Sequence, residues 1–308
     1  MLYLSAIKKG KAMKQEPSTK KLNIRFITPC VGEDFFKPVK KGMEDAGQLT
    51  NAACSFVGTE DVDLPAQVAM VERAIQEGVH GIALSIADAH AFTGPIRQAE
   101  RSGIPVVAFN IDTSDGAAGN LGAVRQDVHQ AGKALGAKAA EHIGAGAKIL
   151  ATVHSDGVSA LEARLKGIRE SLASRRPVWK VICTGIVPEI AAERISTELS
   201  ADPAIGAVLC TGQADTEGAG AAAAGVPSER RPYVAGFDLS PRILQLVLDG
   251  VIQFTIDQQP YLQGFLPVIQ LVLYLRYGIR PCVVDSGAAI IDRSNADRVL
   301  ELCRAGYR

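Results

Sequence analysis

The chain has 308 residues, 47% of them hydrophobic, with Lys plus Arg balancing Asp plus Glu at 33 each. That much apolar sequence is too long for one ordinary layer of core and predicts two α/β lobes of about 130 to 150 residues each. The balanced charge supplies no field to draw in a nucleic-acid backbone or an anionic membrane, so the expected partner is a small molecule.

Residues 1–21 are basic and polar apart from a short apolar run at 2–7, which is shorter than the ~7 to 15 residue core of an export signal. They read as a disordered leader outside the fold, and no export signal is visible. From Leu22 onward strand and helix signals alternate. Strand is predicted at 24–28, helix at 35–46 closed by Gly47, strand at 52–57, and helix at 64–76 stopped by Gly78. Strand at 81–85, helix at 92–101 and strand at 106–109 complete a first series by about residue 123. The second series runs helix 128–143, strand 148–152, helix 159–173, strand 179–184 and helix 190–200. It continues with strand 207–210, an Ala-rich helix 215–224, strand 233–236, helix 241–248 and strand 253–258. An apolar helix at 261–277 and a strand at 288–291 end the pattern. Gln263, Gly264, Pro267, Gln270 and Arg276 interrupt that helix, so it reads as lobe-packing and not membrane-spanning.

Such alternation implies right-handed βαβ units around parallel sheets, an α/β fold of two Rossmann-like lobes. No Ser/Gly-rich linker divides the series. The chain is therefore expected to cross between lobes more than once, on strand-like connections near 123–126, 257–259 and 283–286.

Chemistry-bearing motifs are few. The six cysteines form no C-x-x-C and the five histidines no H-E-x-x-H, so free thiols and no metal or other cofactor are expected. Gly144-Ala-Gly146 precedes a strand where a dinucleotide loop would follow one, and no G-x-x-x-x-G-K-[ST] occurs. His154, Ser155 and Asp156 are sequence neighbours that point in different directions, which does not make a catalytic triad. Catalysis is not expected.

The most informative stretch is Val234-Ala-Gly-Phe-Asp-Leu-Ser-Pro241. A strand stops at Phe237 and Asp238, and Ser240-Pro241 reads as N-cap and first residue of a helix. Ligands of open α/β sheets bind at the carboxyl ends of strands. A ring beside a carboxylate there suits a polyhydroxylated ligand. The other reading of this segment alone is a buried Phe and an Asp tied to its own turn.

Three segments together resemble the type I periplasmic sugar-binding proteins, ribose-binding proteins above all, over nearly all of 22–291. They are Asp34-Phe35-Phe36, Gly236-Phe237-Asp238-Leu-Ser-Pro241, and Thr255-Ile-Asp-Gln258-Gln-Pro260-Tyr-Leu-Gln-Gly264. The resemblance implies three crossovers and a clamshell with a hinge. One lobe would hold 22–123 plus 259–284, and the other 124–258 plus 285–308. It implies Phe35 and Phe36 stacked on a sugar, Phe237 at the site, and Arg164, Asp238 and Gln258 in a polar ring around it. The chain departs from the family pattern at three places. Glu33 stands where Asn is usual, Asn110 and Asp112 flank the position of a missing Arg, and Gln213 and Asp215 fall where Gln-Asn-Asp is common. All five are candidate ligand residues. The implied function is capture of a neutral monosaccharide or sugar alcohol for a membrane ABC permease, by a periplasmic monomer that needs no nucleic acid. The alternative is the sugar-sensing core of a LacI-type regulator, whose helix-turn-helix of about 50 to 60 residues does not fit a leader of 21.

Overall fold

The computed structural model describes residues 21–32, 34–113 and 116–308. In chain order the first part of the fold is β1 (Leu22–Thr28), α1 (Phe36–Thr50), β2 (Ala52–Gly58), α2 (Leu64–Gln76), β3 (Gly81–Ile86), α3 (Ala89–Arg101), β4 (Val106–Asp112) and β5 (Gly122–Arg125). The second is α4 (Val128–Ala139), β6 (Lys148–Val153), α5 (Ser159–Leu172), β7 (Val178–Cys183), α6 (Pro188–Ala201), β8 (Ile205–Cys210), α7 (Gln213–Ala224), β9 (Tyr233–Phe237), α8 (Pro241–Leu248) and β10 (Phe254–Asp257). α9 (Pro260–Tyr277), β11 (Val283–Asp285), β12 (Ala289–Asp292) and α10 (Ala296–Arg304) follow.

The strands form two six-stranded sheets, in the orders β11-β5-β4-β3-β1-β2 and β12-β10-β9-β8-β6-β7. All neighbours are parallel except β12, which runs antiparallel to β10. Because β11 returns to the first sheet and β12 to the second, the chain passes between the sheets after β5, after β10 and after β11. Helices cover both faces of each sheet, as continuous apolar strands require. In the first sheet Phe26, Val107 and Phe109 pack under α1 and α9, while Ile27, Ile82 and Leu84 pack under α2 and α3. In the second, Ile149, Leu209 and Phe254 face α4 and α5, and Leu150, Val208 and Val234 face α6, α7, α8 and α10.

Several boundaries moved for local reasons. Helix α1 runs through Gly47, whose small size lets it lie against the carbonyl of Ala52, and stops at Asn51 in the left-handed region (φ 51°). Helix α3 begins three residues early because Asp88 caps it, accepting from Ala91 N at 2.8 Å, and Asp127 caps α4 in the same way at Gln130 N. Two of the strand-like connections are true strands, β5 and β11, paired to each other. Helix α10 had no predicted counterpart, since among its nine residues only Ala296, Val299 and Leu300 are buried.

All six cysteines are free. Among the described residues no helix is long and apolar enough to cross a membrane, and no cluster of side chains could hold a metal.

Candidate functional site

The carboxyl ends of β9 and β10 carry the centre of the site. Ser240 caps α8, accepting from Ile243 N at 3.0 Å, and Pro241 takes the first helical position, where its missing N–H costs nothing. This leaves the strand end to turn sharply: Asp238 sits at φ 69°, its N–H donating to Ile256 O at 2.8 Å and its carbonyl accepting from Thr255 Oγ1 at 2.8 Å. A non-glycine residue in the left-handed region is strained, and these bonds hold it there. The Asp238 side chain, 8% exposed, accepts from Gln258 Nε2 at 2.5 Å on one oxygen and faces Arg164 Nη1 at 3.6 Å with the other.

Arg164, on the second turn of α5, is 4% exposed. Its Nη1 donates to Thr211 O at 2.8 Å and its Nη2 to Gln126 Oε1 at 2.9 Å. The guanidinium lies 4.2 Å above the Phe237 ring. Burial pushes the guanidinium below its ordinary range, and the carboxylates of Asp238 and Asp215 pull it back. A buried charge held this way is a rigid, planar set of donors.

On the side of the first sheet, Asn110 at the end of β4 is also left-handed (φ 61°) and donates through Nδ2 to Gln263 Oε1 at 3.3 Å. Gln263 Nε2 lies within reach of Gln258 O and Oε1, both at 3.1 Å, and of Ser286 Oγ at 3.0 Å. Arg164, Asp238, Gln258, Gln263 and Asn110 thus form one chain of polar contacts from sheet to sheet. Beside it lies a cavity of about 400 Å³ lined by Phe35, Gln213, Asp238 and Gln258, with Asp34, Lys37, Pro241 and Arg308 among its other walls.

Other predicted residues lie elsewhere, and each for a reason. Phe36 is a core residue rather than a second plate: 4% exposed, it packs among Phe26, Val39 and Met43, with only its neighbour Phe35 reaching the cavity. Consecutive residues entering a helix diverge by about 100°, so one ring turns in as the other turns out. Phe237 is fully buried and serves as the platform under Arg164, not as an open face for a ligand. Asp215 is likewise buried, and both its oxygens are taken. One accepts from Thr152 Oγ1 at 2.6 Å and Thr211 N at 2.9 Å, the other from Gly212 N at 2.9 Å. It caps α7 and ties down the β8 turn, while burial pushes its carboxyl up. Asp112 is held by Asn120 Nδ2 at 3.3 Å. Glu33 lies outside the described residues.

Gln126, Thr211, Gln263 and Ser286 were missed. A signal existed for Gln263, an amide in the first turn of an apolar helix beside a glycine. In the sequence it counts only against a membrane span.

A model of the periplasmic binding protein domain matches residues 24–278. The chain belongs to that family. Among its relatives, the xylose/arabinose-binding protein XylF of Sulfolobus acidocaldarius is 29% identical over 296 residues, covering 91% of this chain and 73% of the relative. The ribose import binding protein RbsB of Bacillus subtilis is 26% identical over 245 residues, covering 80% and 79%. Among solved structures, a carbohydrate transporter from Acidothermus cellulolyticus in complex with myo-inositol superposes with a TM-score of 0.82 at 27% identity, covering 94% of this chain and all of the other. The two-sheet α/β plan with three passages is therefore the fold of periplasmic binding proteins of type I, and members of this family act outside the cytoplasm.

Proposed function

We propose that this protein captures one neutral monosaccharide or cyclic polyol between its two sheets, with the Arg164–Asp238 pair as the principal hydroxyl-binding fork. The chain is a sugar-binding component of an ABC transporter, a binding protein and not an enzyme. Within that role the observation that carries the reading is the pairing of a buried cation with a buried anion at the cleft. Their charges cancel, so an ionic ligand gains little, whereas a hydroxyl can donate to the carboxylate and accept from the guanidinium. Arg164 Nε is buried with no acceptor among the described residues, and a ligand hydroxyl would satisfy it. Phe35 supplies an apolar wall for the C–H face of a ring, and Gln258, Gln213 and Asn110 offer further amide groups.

The relatives named for xylose, arabinose and ribose, and the structure containing myo-inositol, point to ligands of pentose or cyclitol size. The bounds expected from sequence cut β5 and β11, so we assign the lobes to 22–125 plus 259–285 and 126–258 plus 286–308, closing about the three connections. The partner would be a cognate permease in the membrane, reached from the periplasm by a monomer. The equal numbers of acidic and basic residues argue against nucleic acid.

A thermal-shift panel of aldoses, ketoses, alditols and cyclitols tests this. A true ligand at about 100 times its Kd adds about 2.7 kcal/mol to the folded state and raises the unfolding temperature measurably. If no sugar or polyol shifts the transition while a nucleotide or an organic anion does, the reading is wrong.

A further inference from the structure

Gln126 sits at the end of β5, where the chain first leaves one sheet for the other, and it is 1% exposed. Its Oε1 accepts from Arg164 Nη2 at 2.9 Å, and its Nε2 donates to Gly287 O at 2.8 Å, in the third connection. A guanidinium only donates and a carbonyl only accepts, so a single amide orientation serves both. Gln259 Nε2 donates to Ser286 O at 2.6 Å and Gln263 Nε2 to Ser286 Oγ. All three connections therefore meet at Ser286 and Gly287, the latter at φ 87°, a conformation that a residue with a Cβ rarely adopts.

The other partners of Arg164 all belong to the second sheet: the Thr211 carbonyl after β8, the Phe237 ring, and Asp238 after β9. Those partners move with Arg164 as one body. Rotation of one sheet against the other must be absorbed by backbone change in the connections, and of the side chains that touch the guanidinium directly, Gln126 is the one that stands on a connection. Stacked over a ring and held at Nη1 alone, the fork could pivot. Held also at Nη2, its direction follows the position of Gly287.

We propose that Gln126 is a positioning residue that couples closure of the two sheets to the direction of the Arg164 fork, and so sets how slowly a bound sugar leaves. This rests on the reading of Arg164 as a ligand-holding side chain. A residue of this kind acts on dissociation more than on association, because the fork is set only as the sheets close.

The experiment uses the full chain, with D-xylose, D-ribose and myo-inositol as radiolabelled probes, and follows release after dilution. Gln126→Met keeps the volume and removes both hydrogen bonds. Its expected effect is release about tenfold faster or more, with the association rate within about threefold of the unaltered protein. In an Arg164→Lys background, where the fork is absent, the same substitution should leave release unchanged. Release at the unaltered rate in Gln126→Met, or an equal acceleration in both backgrounds, overturns the proposal. Should Gln126→Met fail to fold, Gln126→Glu keeps an acceptor for Arg164 and loses the donor to Gly287. It too should release faster, and an unaltered rate would count against the proposal. If the unaltered protein binds none of the three probes, a sugar found in the thermal-shift panel replaces them, and if no sugar or polyol binds, the sugar reading and this one fall together. If it binds and the variants release the sugar at the unaltered rate, only this one falls.

Discussion

Gln258 donates its side-chain amide to Asp238 Oδ1 at 2.5 Å, so one oxygen of the buried carboxylate is held by a neutral group while the other faces Arg164 at 3.6 Å. The carboxylate is thereby oriented without depending on the ion pair for its position. Its charge is another matter, because Arg164 is buried and Asp238 leads the nearby charges that offset its desolvation.

From this, Asp238→Asn should leave the amide contact in place and strand the guanidinium, costing about 3 kcal/mol of stability in the absence of ligand. Arg164→Met should cost a similar amount by stranding the carboxylate. The double variant should cost distinctly less than the sum, since neither charge is then buried alone. Chemical denaturation of the four proteins measures this, and strict additivity would show that the two groups do not compensate each other.

Helix α1 packs on α9 through a pair of glycines. A Cβ on Gly264 would lie 1.9 Å from the Val39 carbonyl oxygen, and one on Gly42 would lie 2.1 Å from that of Tyr261. The two helices touch backbone to backbone at these glycines, and neither partner is a side chain that can swing away. Gly264→Ala, benign on an exposed helix, should here cost about 2 to 3 kcal/mol through forced separation of the helices. Because α9 carries Gln263, ligand affinity should fall as well. An unfolding midpoint equal to that of the unaltered protein would mean that the helices separate freely.

Much of this architecture could be read from residue patterns. Helices α2 and α8 have the predicted limits, because Asp63 with Pro65 and Ser240 with Pro241 are unambiguous starts. The strand ends of β9 and β10 announced themselves through an aromatic-acid pair and a Gln-Gln-Pro turn. What could not be read was direction. Nothing in Asp34-Phe35-Phe36 says which ring turns inward, and nothing in Phe237-Asp238 says that the ring supports Arg164 from below. The crossover glutamines were illegible for a related reason. Their partners are 38 and 161 residues away for Gln126, and 153 for one bond of Gln263, and no local periodicity encodes such pairings.

Thiol chemistry offers a check on burial throughout the chain. Cys282 is exposed, whereas burial pushes the Cys54 and Cys303 thiols up to about 11 and raises that of fully buried Cys210 as well. Since the thiolate is the reactive form, an aromatic disulfide reagent near neutral pH should modify Cys282 first. Cys282→Ser should abolish the fast phase. A fast phase that survives this change would place an accessible, ionisable thiol elsewhere.

Asp257 ends β10 with 1% of its area exposed and pairs with Arg308. The segment after α10 reaches it from a perch where Tyr307 packs on Tyr261 of α9 and lies under Lys41 of α1. Burial pushes the Asp257 carboxyl above its ordinary value of 3.8, against the pull of Arg308 and a hydrogen bond from Gln259 N, and with a further push from Asp238. In the window between the ordinary and the raised value the folded chain therefore keeps a proton that the unfolded chain has lost. Stability contributed by this group falls as pH rises through that window, and the cost is complete above it. Asp257→Asn should then gain on the unaltered protein as pH is raised across the window. Arg308→Met removes the charge that limits the upward shift, so its loss of stability should extend to higher pH. Denaturation midpoints taken at intervals from about pH 4 to about pH 8 decide the matter. Three parallel curves would mean that Asp257 titrates in the folded protein as it does in the unfolded chain.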